Sequence, residues 1–544
     1  MGERDRWRLA SMLLVLALVI VGCGEASPAD GPEEPQTEDD ATGSVEEAAP
    51  AAASPNVLQV AATATVTTWD PIASFSTEAL YMANIYEQLL RVNPPDADEP
   101  YTPLLAESWE TADDGSSWTF HLRDGVTFHD GEPLTAEAVK ASIEAAQERA
   151  GASFIWAPLD QIEVVDDLTV RFDLSFPAPV DLIASSLYGA WIVSPNALEA
   201  AAADESYFEQ GVAAGTGPYQ LESYAPDQEV LLTAHEGYWG EQPGFDTVLV
   251  TIVDEAVQQQ QMLEGGEVDL ALRLPQSSYA DFAGRDGYAL VEEPSFLNYV
   301  GFFNTTRAPL DDPRVRQALS YAIPYDDIID IGTYGYGAQS RGPVPAGVFP
   351  YNDNVPQYRH DPDRARELLA EAGVEEGLEL RLTYAAENET HARYAPLLRD
   401  AFADVGVDLQ IDAILWGQQW EEAKADPEEA QDIFLLLYWP TYSDAGSDNL
   451  YSMFRSSEAP FFNLSYWAND RFDALIDEAM TVTGTDRDEA AGLYEEAMTL
   501  LVEEAPGFFL FDTKAVYVIP DHLEGFRYNL NYPFATFFAE LRPA

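Results

Sequence analysis

The chain has 544 residues, and 95 Asp+Glu against 27 Lys+Arg give it a formal charge of −68. That field repels a phosphate backbone, which excludes nucleic acid as a partner. Disorder of the whole chain is excluded as well, because 47% of residues are hydrophobic and 12% aromatic, enough for more than one large core. Only Lys140, Lys424 and Lys514 are lysines, and the other 24 bases are arginines. Few lysines among many carboxylates suit strong salt, where the screening length falls to about 3 Å at 1 M and self-repulsion fades. A salt-loving source is the expectation.

Arg4, Arg6 and Arg8 precede an apolar run, Leu9 to Val21, that ends at Gly22-Cys23-Gly24. Such a run is too short to span a bilayer comfortably and fits the apolar part of a secretion signal over residues 1–22. Cys23 is the single cysteine of the chain and closes that run. Ile20-Val21-Gly22-Cys23 resembles the lipobox of bacterial lipoproteins, which implies acylation of Cys23 as the first mature residue. Residues 24 to about 55 then carry nine acids and no base, so 23–56 reads as a self-repelling tether. The expectation is a body outside the cytoplasm, held to the cell membrane by lipid.

From Asn56 onward strand and helix patterns alternate, as in an α/β protein. Val57 to Ala62 predicts a strand and Thr77 to Leu90 a helix, with Leu80, Ile85, Leu89 and Leu90 near helical spacing. Trp118 to Leu122 alternates as a half-buried strand, and Thr135 reads as a helix cap. Val164 to Phe172 predicts a hairpin turning at Asp166-Asp167, and Asp363 to Gly373 a helix with a glycine stop. Phe434 to Trp439 is a continuous apolar run, the pattern of a strand buried on both faces of a mostly parallel sheet.

Catalytic signatures are thin. The histidines at 121, 129, 235, 360, 391 and 522 form no His-x-x-x-His pair, and no nucleophile elbow, phosphate loop or dinucleotide fingerprint is present. Phe128-His129-Asp130-Gly131 has the residue types of a metal or acid/base fragment, but it reads as a turn whose histidine hydrogen-bonds locally. Acid pairs carry no weight among 95 carboxylates. No enzyme activity and no cofactor are expected.

Leu104 to Trp109, followed by Trp118 to Val139, strongly resembles the extracytoplasmic solute-binding proteins of family 5, the peptide, nickel and oligosaccharide receptors of ABC importers. Gly215-Thr-Gly-Pro-Tyr219, Tyr238-Trp239 with Pro243, Gly266 to Asp269, Asn304 with Pro309 to Ile323, and Ala365 to Gly373 extend the resemblance in order. Each also has a plain physical role. Gly215 and Gly217 give freedom to a turn beside Pro218, and Asp312-Pro313 caps a helix that buries Val315, Leu319 and Ile323.

The resemblance implies a two-lobed fold of the periplasmic-binding-protein type with an extra subdomain in lobe I. Lobe I would hold 57–298 plus 505–544, with the subdomain near 88–214, and lobe II 299–504. It further implies a monomer whose solute bridges the lobes, favours the closed form and is passed to membrane permease subunits.

In peptide receptors of the family, a Trp-x-x-Asp in lobe II places a carboxylate on the peptide ammonium. Here the segment runs Trp439-Pro-Thr-Tyr442-Ser-Asp444, with Tyr442 at the third place after the tryptophan. Asp444 is the candidate replacement, and the alternative is one more solvated carboxylate. Trp439 is a candidate stacking residue, with a core tryptophan as its rival. Arg341 offers a fork for a solute carboxylate, against a surface salt bridge. Tyr299 and Trp69, the latter in the loop after the first strand, complete the candidate cleft. A peptide is the first expectation for the solute and an oligosaccharide the second. A nickel or metallophore receptor, a non-transport sensor and an envelope hydrolase follow.

Overall fold

The computed structural model describes residues 56–95, 97–149, 151–457 and 462–544. The signal, Cys23 and the tether up to residue 55 lie outside the described residues. Two sheets organise the body. The first has five strands in the order Leu270–Ala271, Val57–Ala62, Thr247–Ile252, Glu229–Ala234 and Tyr219–Ala225. Val57–Ala62 lies parallel to both of its neighbours, and the remaining pairs are antiparallel. A four-stranded antiparallel sheet, Ala106–Thr111, Ser117–Leu122, Thr169–Leu174 and Leu159–Asp166, joins the same hydrophobic core.

The second large sheet has six strands, in the order Gly337–Gln339, Gly507–Pro520, Tyr288–Phe303, Ile433–Tyr438, Leu378–Ala385 and Val407–Ile414. Alternation explains the continuous apolar run at its centre. Phe434, Leu436 and Tyr438 enter one core while Ile433 and Leu435 enter another, so both faces of the strand are covered. The sheet is mixed rather than mostly parallel: Ile433–Tyr438 runs antiparallel to Tyr288–Phe303 and parallel to Leu378–Ala385. Apolar runs report two-sided burial, not strand direction.

Two long strands, Tyr288–Phe303 and Gly507–Pro520, lie side by side over most of their length. Their pairing shifts register between Pro294 and Asn298, where the burial pattern also changes from mostly exposed to mostly buried. They therefore link the six-stranded sheet to the region of the first.

Several local expectations hold. Thr135 Oγ1 accepts from the Ala138 amide at 3.2 Å, and Asp312 accepts from the Arg314 amide at 2.9 Å. The helix expected over Thr77–Leu90 is shorter, Ala79–Ile85, because Tyr86 turns extended and Leu90 begins the strand Leu90–Val92. Gly215 and Gly217 are needed for close approach rather than for a special turn angle. A Cβ on Gly215 would collide with the Ile85 carbonyl, and one on Gly217 would lie 2.7 Å from Asn84 O. His129 meets the same segment, its Nε2 lying 2.9 Å from Gly217 O and its amide donating to Gly215 O at 2.8 Å. Its main partner is thus distant in sequence, not local.

Candidate functional site

The loop that leaves strand Ile433–Tyr438 reaches the core of the first sheet. Trp439 meets Phe534 edge-on with centroids 4.9 Å apart, and Tyr442, only 8% exposed, joins the first sheet's core cluster. Ser186 Oγ donates to Thr441 O at 2.9 Å, and Ser443 Oγ donates to Asn531 Oδ1 at 2.5 Å. Polar and aromatic contacts thus fasten one sheet's loop to the other sheet's surroundings.

Asp444 lies fully buried one step further on. Its Oδ1 accepts from the amides of Gly446 and Ser447 at 3.0 and 3.2 Å, which caps the turn Gly446–Leu450. Its Oδ2 is buried without a hydrogen-bond partner. Burial pushes the carboxyl above its usual range, while hydrogen bonds from Ser447 and the charge of Arg487 pull the other way. Asp448 differs. It accepts from Tyr438 Oη at 2.9 Å, and from the Thr441 amide, and desolvation raises its pKa to about 6.

The remaining candidates sit elsewhere. Arg341 is not in this group: its Nε is 3.6 Å from Asp353 and its Nη1 donates to Val355 O at 3.2 Å, a pairing near the surface. Tyr299 is stacked on Phe511 at 4.7 Å inside the six-stranded sheet's core. Trp69 is 1% exposed between Tyr81 and Tyr224. The structure therefore brings Trp439, Tyr442 and Asp444 together and keeps Arg341, Tyr299 and Trp69 apart from them.

Two cavities adjoin each other, and the smaller reaches the loop at Ser443. The smaller, about 330 Å³, is lined from one side by Tyr101, Leu182 and Asn531 and from the other by Phe349, Ser443 and Arg487. The larger, about 1510 Å³, shares Asn93, Asp98 and Gly347 with it and extends to Glu87, Tyr238 and Trp239. Glu87 accepts from Tyr238 Oη at 3.0 Å and Trp239 Nε1 at 2.9 Å, and burial raises its pKa to about 7. Ser186, Ser443, Asn531, Glu87 and Arg487 were not signalled by any spacing. The one local cue is the run Asn529-Leu-Asn531-Tyr532, polar side chains inside an otherwise aromatic chain end. Among the described residues, no group of three or more His, Cys, Asp or Glu is arranged to hold a metal ion.

The sequence profile described as "Bacterial extracellular solute-binding proteins, family 5 Middle" matches residues 100–461. The chain belongs to this family. It is 30% identical to heme-binding protein A of Haemophilus influenzae over 78% of this chain and 80% of that one. It is also 29% identical to the glutathione-binding protein GsiB of Salmonella typhimurium over 88% and 93%. A dipeptide-binding protein of Escherichia coli is 30% identical over 78% and 83%.

Among solved structures, the periplasmic binding protein DppA of Helicobacter pylori, in complex with the peptide STSA, superposes with TM-score 0.77 at 23% identity. That match covers 90% of this chain and 98% of the other. NikA of Brucella suis, in complex with Fe(III)-EDTA, gives 0.79 at 23%, over 90% and 100%. The fold is thus that of the two-lobed periplasmic binding proteins, and the family's members are extracytoplasmic solute carriers, not enzymes.

Proposed function

We propose that this chain is the solute-capturing component of an ABC importer, closing two lobes around a peptide-like solute and presenting it to permease subunits. Lobe I is assigned residues 57–298 and 505–544, with a subdomain near 88–214, and lobe II residues 299–504. The mature chain is a monomer held to the membrane by lipid on Cys23. The observation that carries the peptide reading is Asp444: a fully buried carboxylate with one oxygen unpaired, on a loop that crosses between the lobes. An ammonium group is the natural complement of such an oxygen, because an unpaired charge in a dry site is costly and a paired, hydrogen-bonded one is not. Relatives whose names specify glutathione or dipeptides support the same class.

An oligosaccharide is the second reading. It is favoured by Tyr442, which stands where peptide receptors of the family carry the aspartate, and by Trp239, Phe526, Tyr528 and Phe537 around the larger cavity. Titration calorimetry in molar salt, against free peptides and neutral oligosaccharides, separates the two. Peptides binding at micromolar or better supports the first, and oligosaccharides binding alone replaces it with the second. Turnover of either would overturn the carrier role.

Salt adaptation belongs to the same proposal. Removing the leader's net +1 and the tether's nine acids leaves a formal −60 on the body. Melting temperature is expected to climb steeply from dilute buffer to molar salt as repulsion is screened. A flat profile contradicts this.

A further inference from the structure

A short turn, Gly484-Thr485-Asp486, joins the helices Asp470–Thr483 and Arg487–Glu504 and meets the four-stranded sheet's surroundings at two points. A Cβ on Gly484 would lie 2.5 Å from Ala178 N and 2.8 Å from Pro177 C, both backbone atoms just beyond the strand Thr169–Leu174. Thr485 Cγ2 covers Gly115, in the turn between Ala106–Thr111 and Ser117–Leu122, and lies 2.8 Å from where a Cβ would stand there. The helix pair falls in the residues assigned to lobe II, and Gly115, Pro177 and Ala178 fall in the subdomain of lobe I.

Local conformation does not ask for glycine at 484. Its φ of −75° and ψ of −14° are ordinary helical values, which alanine adopts with the better propensity. Both sides of the contact are held from behind. The Thr485 and Asp486 amides donate to Val482 O at 2.9 and 2.7 Å, and Ala479, Ala490 and Tyr494 of the two helices share one core. Opposite them, Trp118 Nε1 donates to Ala178 O at 3.2 Å, and Pro177 and Pro179 stiffen the chain. The missing side chain therefore serves the approach of one lobe to the other.

We propose that Gly484 is a positioning residue for closure: its bare Cα lets lobe II seat against the backbone of the lobe I subdomain, at a contact separate from the loop 439–444. A chain that cannot complete this contact populates the closed form less, and its apparent solute affinity falls with that population. This rests on the import reading and the lobe assignment above.

The test compares Gly484→Ala with Gly492→Ala on the full mature chain. Gly492 lies in the second helix with nothing within 4 Å of a Cβ, so its substitution reports helix propensity alone. Calorimetry in molar salt uses trialanine and maltotriose as probes, and small-angle scattering gives the radius of gyration. Gly484→Ala is expected to melt no lower than the unaltered chain, to bind whichever probe is recognised about tenfold more weakly, and to keep a larger radius at saturation. Gly492→Ala should leave affinity and radius unchanged. Unaltered affinity in Gly484→Ala, an equal loss in Gly492→Ala, or a lower melting temperature at unchanged radius overturns the assignment and leaves the import reading standing. If neither probe binds, the solute-free radii decide: a larger one for Gly484→Ala supports the contact, and equal ones overturn it. The import reading falls separately, if no peptide or oligosaccharide binds the unaltered chain.

Discussion

Each large sheet sends a central strand into a loop that carries a tryptophan and an aspartate, and the two loops end in different states. After Val57–Ala62, Trp69 is sealed in the core, and Asp70 has both oxygens engaged, one by the Ile72 amide at 3.0 Å and the other by Arg149 at 2.8 Å. After Ile433–Tyr438, Trp439 is only partly buried against the first sheet's core and Phe534, and Asp444 has one oxygen left over. Similar residue types after similar strands therefore do different jobs. A carboxylate whose oxygens are both partnered by the fold reads as scaffold, whereas a buried one with an oxygen to spare has room for a further donor. Asp448, in the same loop as Asp444, belongs with Asp70 on this criterion.

Substitution at Asp448 should produce the largest effect and sharpen that division. Asp448→Ala strands the Thr441 amide in a buried site and leaves the Tyr438 hydroxyl only Ser452 Oγ, 2.8 Å away, at a cost of about 3 kcal/mol. Denaturant unfolding should show that loss, whereas Asp444→Ala should cost less than half as much. Equal losses would erase the distinction between the two carboxylates.

A second test moves to Tyr299, whose neighbour His391 is 2% exposed with both ring nitrogens unpartnered. Burial pushes that imidazole from 6.5 down to about 3. The unfolded chain therefore takes up a proton below pH 6.5 that the folded chain refuses until about pH 3, so stability is lost as pH falls through that window. His391→Phe removes the penalty and should stabilise the protein by about 2 kcal/mol at pH 5, relative to its effect at pH 8. Solute affinity should not change, because this region is core. An altered affinity would return Tyr299 to the binding site.

The smallest effect concerns the bonds that tie this loop to Ser186 and Asn531. Thr441 and Ser443 fasten the loop through Ser186 and Asn531, so Ser186→Ala with Ser443→Ala should loosen closure by about 1–2 kcal/mol. Small-angle scattering should then report a larger radius of gyration for the solute-free protein. An unchanged radius would mean that the aromatic contacts of Trp439 and Tyr442 suffice.

Much of the fold was legible because it rests on local signals. The apolar strand, expected at 434–439 and found at 433–438, the Thr135 and Asp312 caps and the family's motif order all read directly from the chain. The helix near residue 80 was overextended because Leu89 and Leu90 continue its apolar spacing while Tyr86 has already turned extended. The site was harder, since its contacts join residues far apart: Ser186 and Thr441 are 255 positions from each other. Arg341 looked available until its partners at 353 and 355 were seen. Charge spacing cannot say which arginines remain unpaired among 95 acids.

The central claim is that the open oxygen of Asp444 meets a cationic end of the solute. Calorimetry with one peptide, free and N-acetylated, on the unaltered chain and on Asp444→Asn tests it most directly. The account predicts that acetylation weakens binding to the unaltered chain by about tenfold or more, and that this difference vanishes in Asp444→Asn. A peptide that binds tightly to both proteins, acetylated or not, would contradict it.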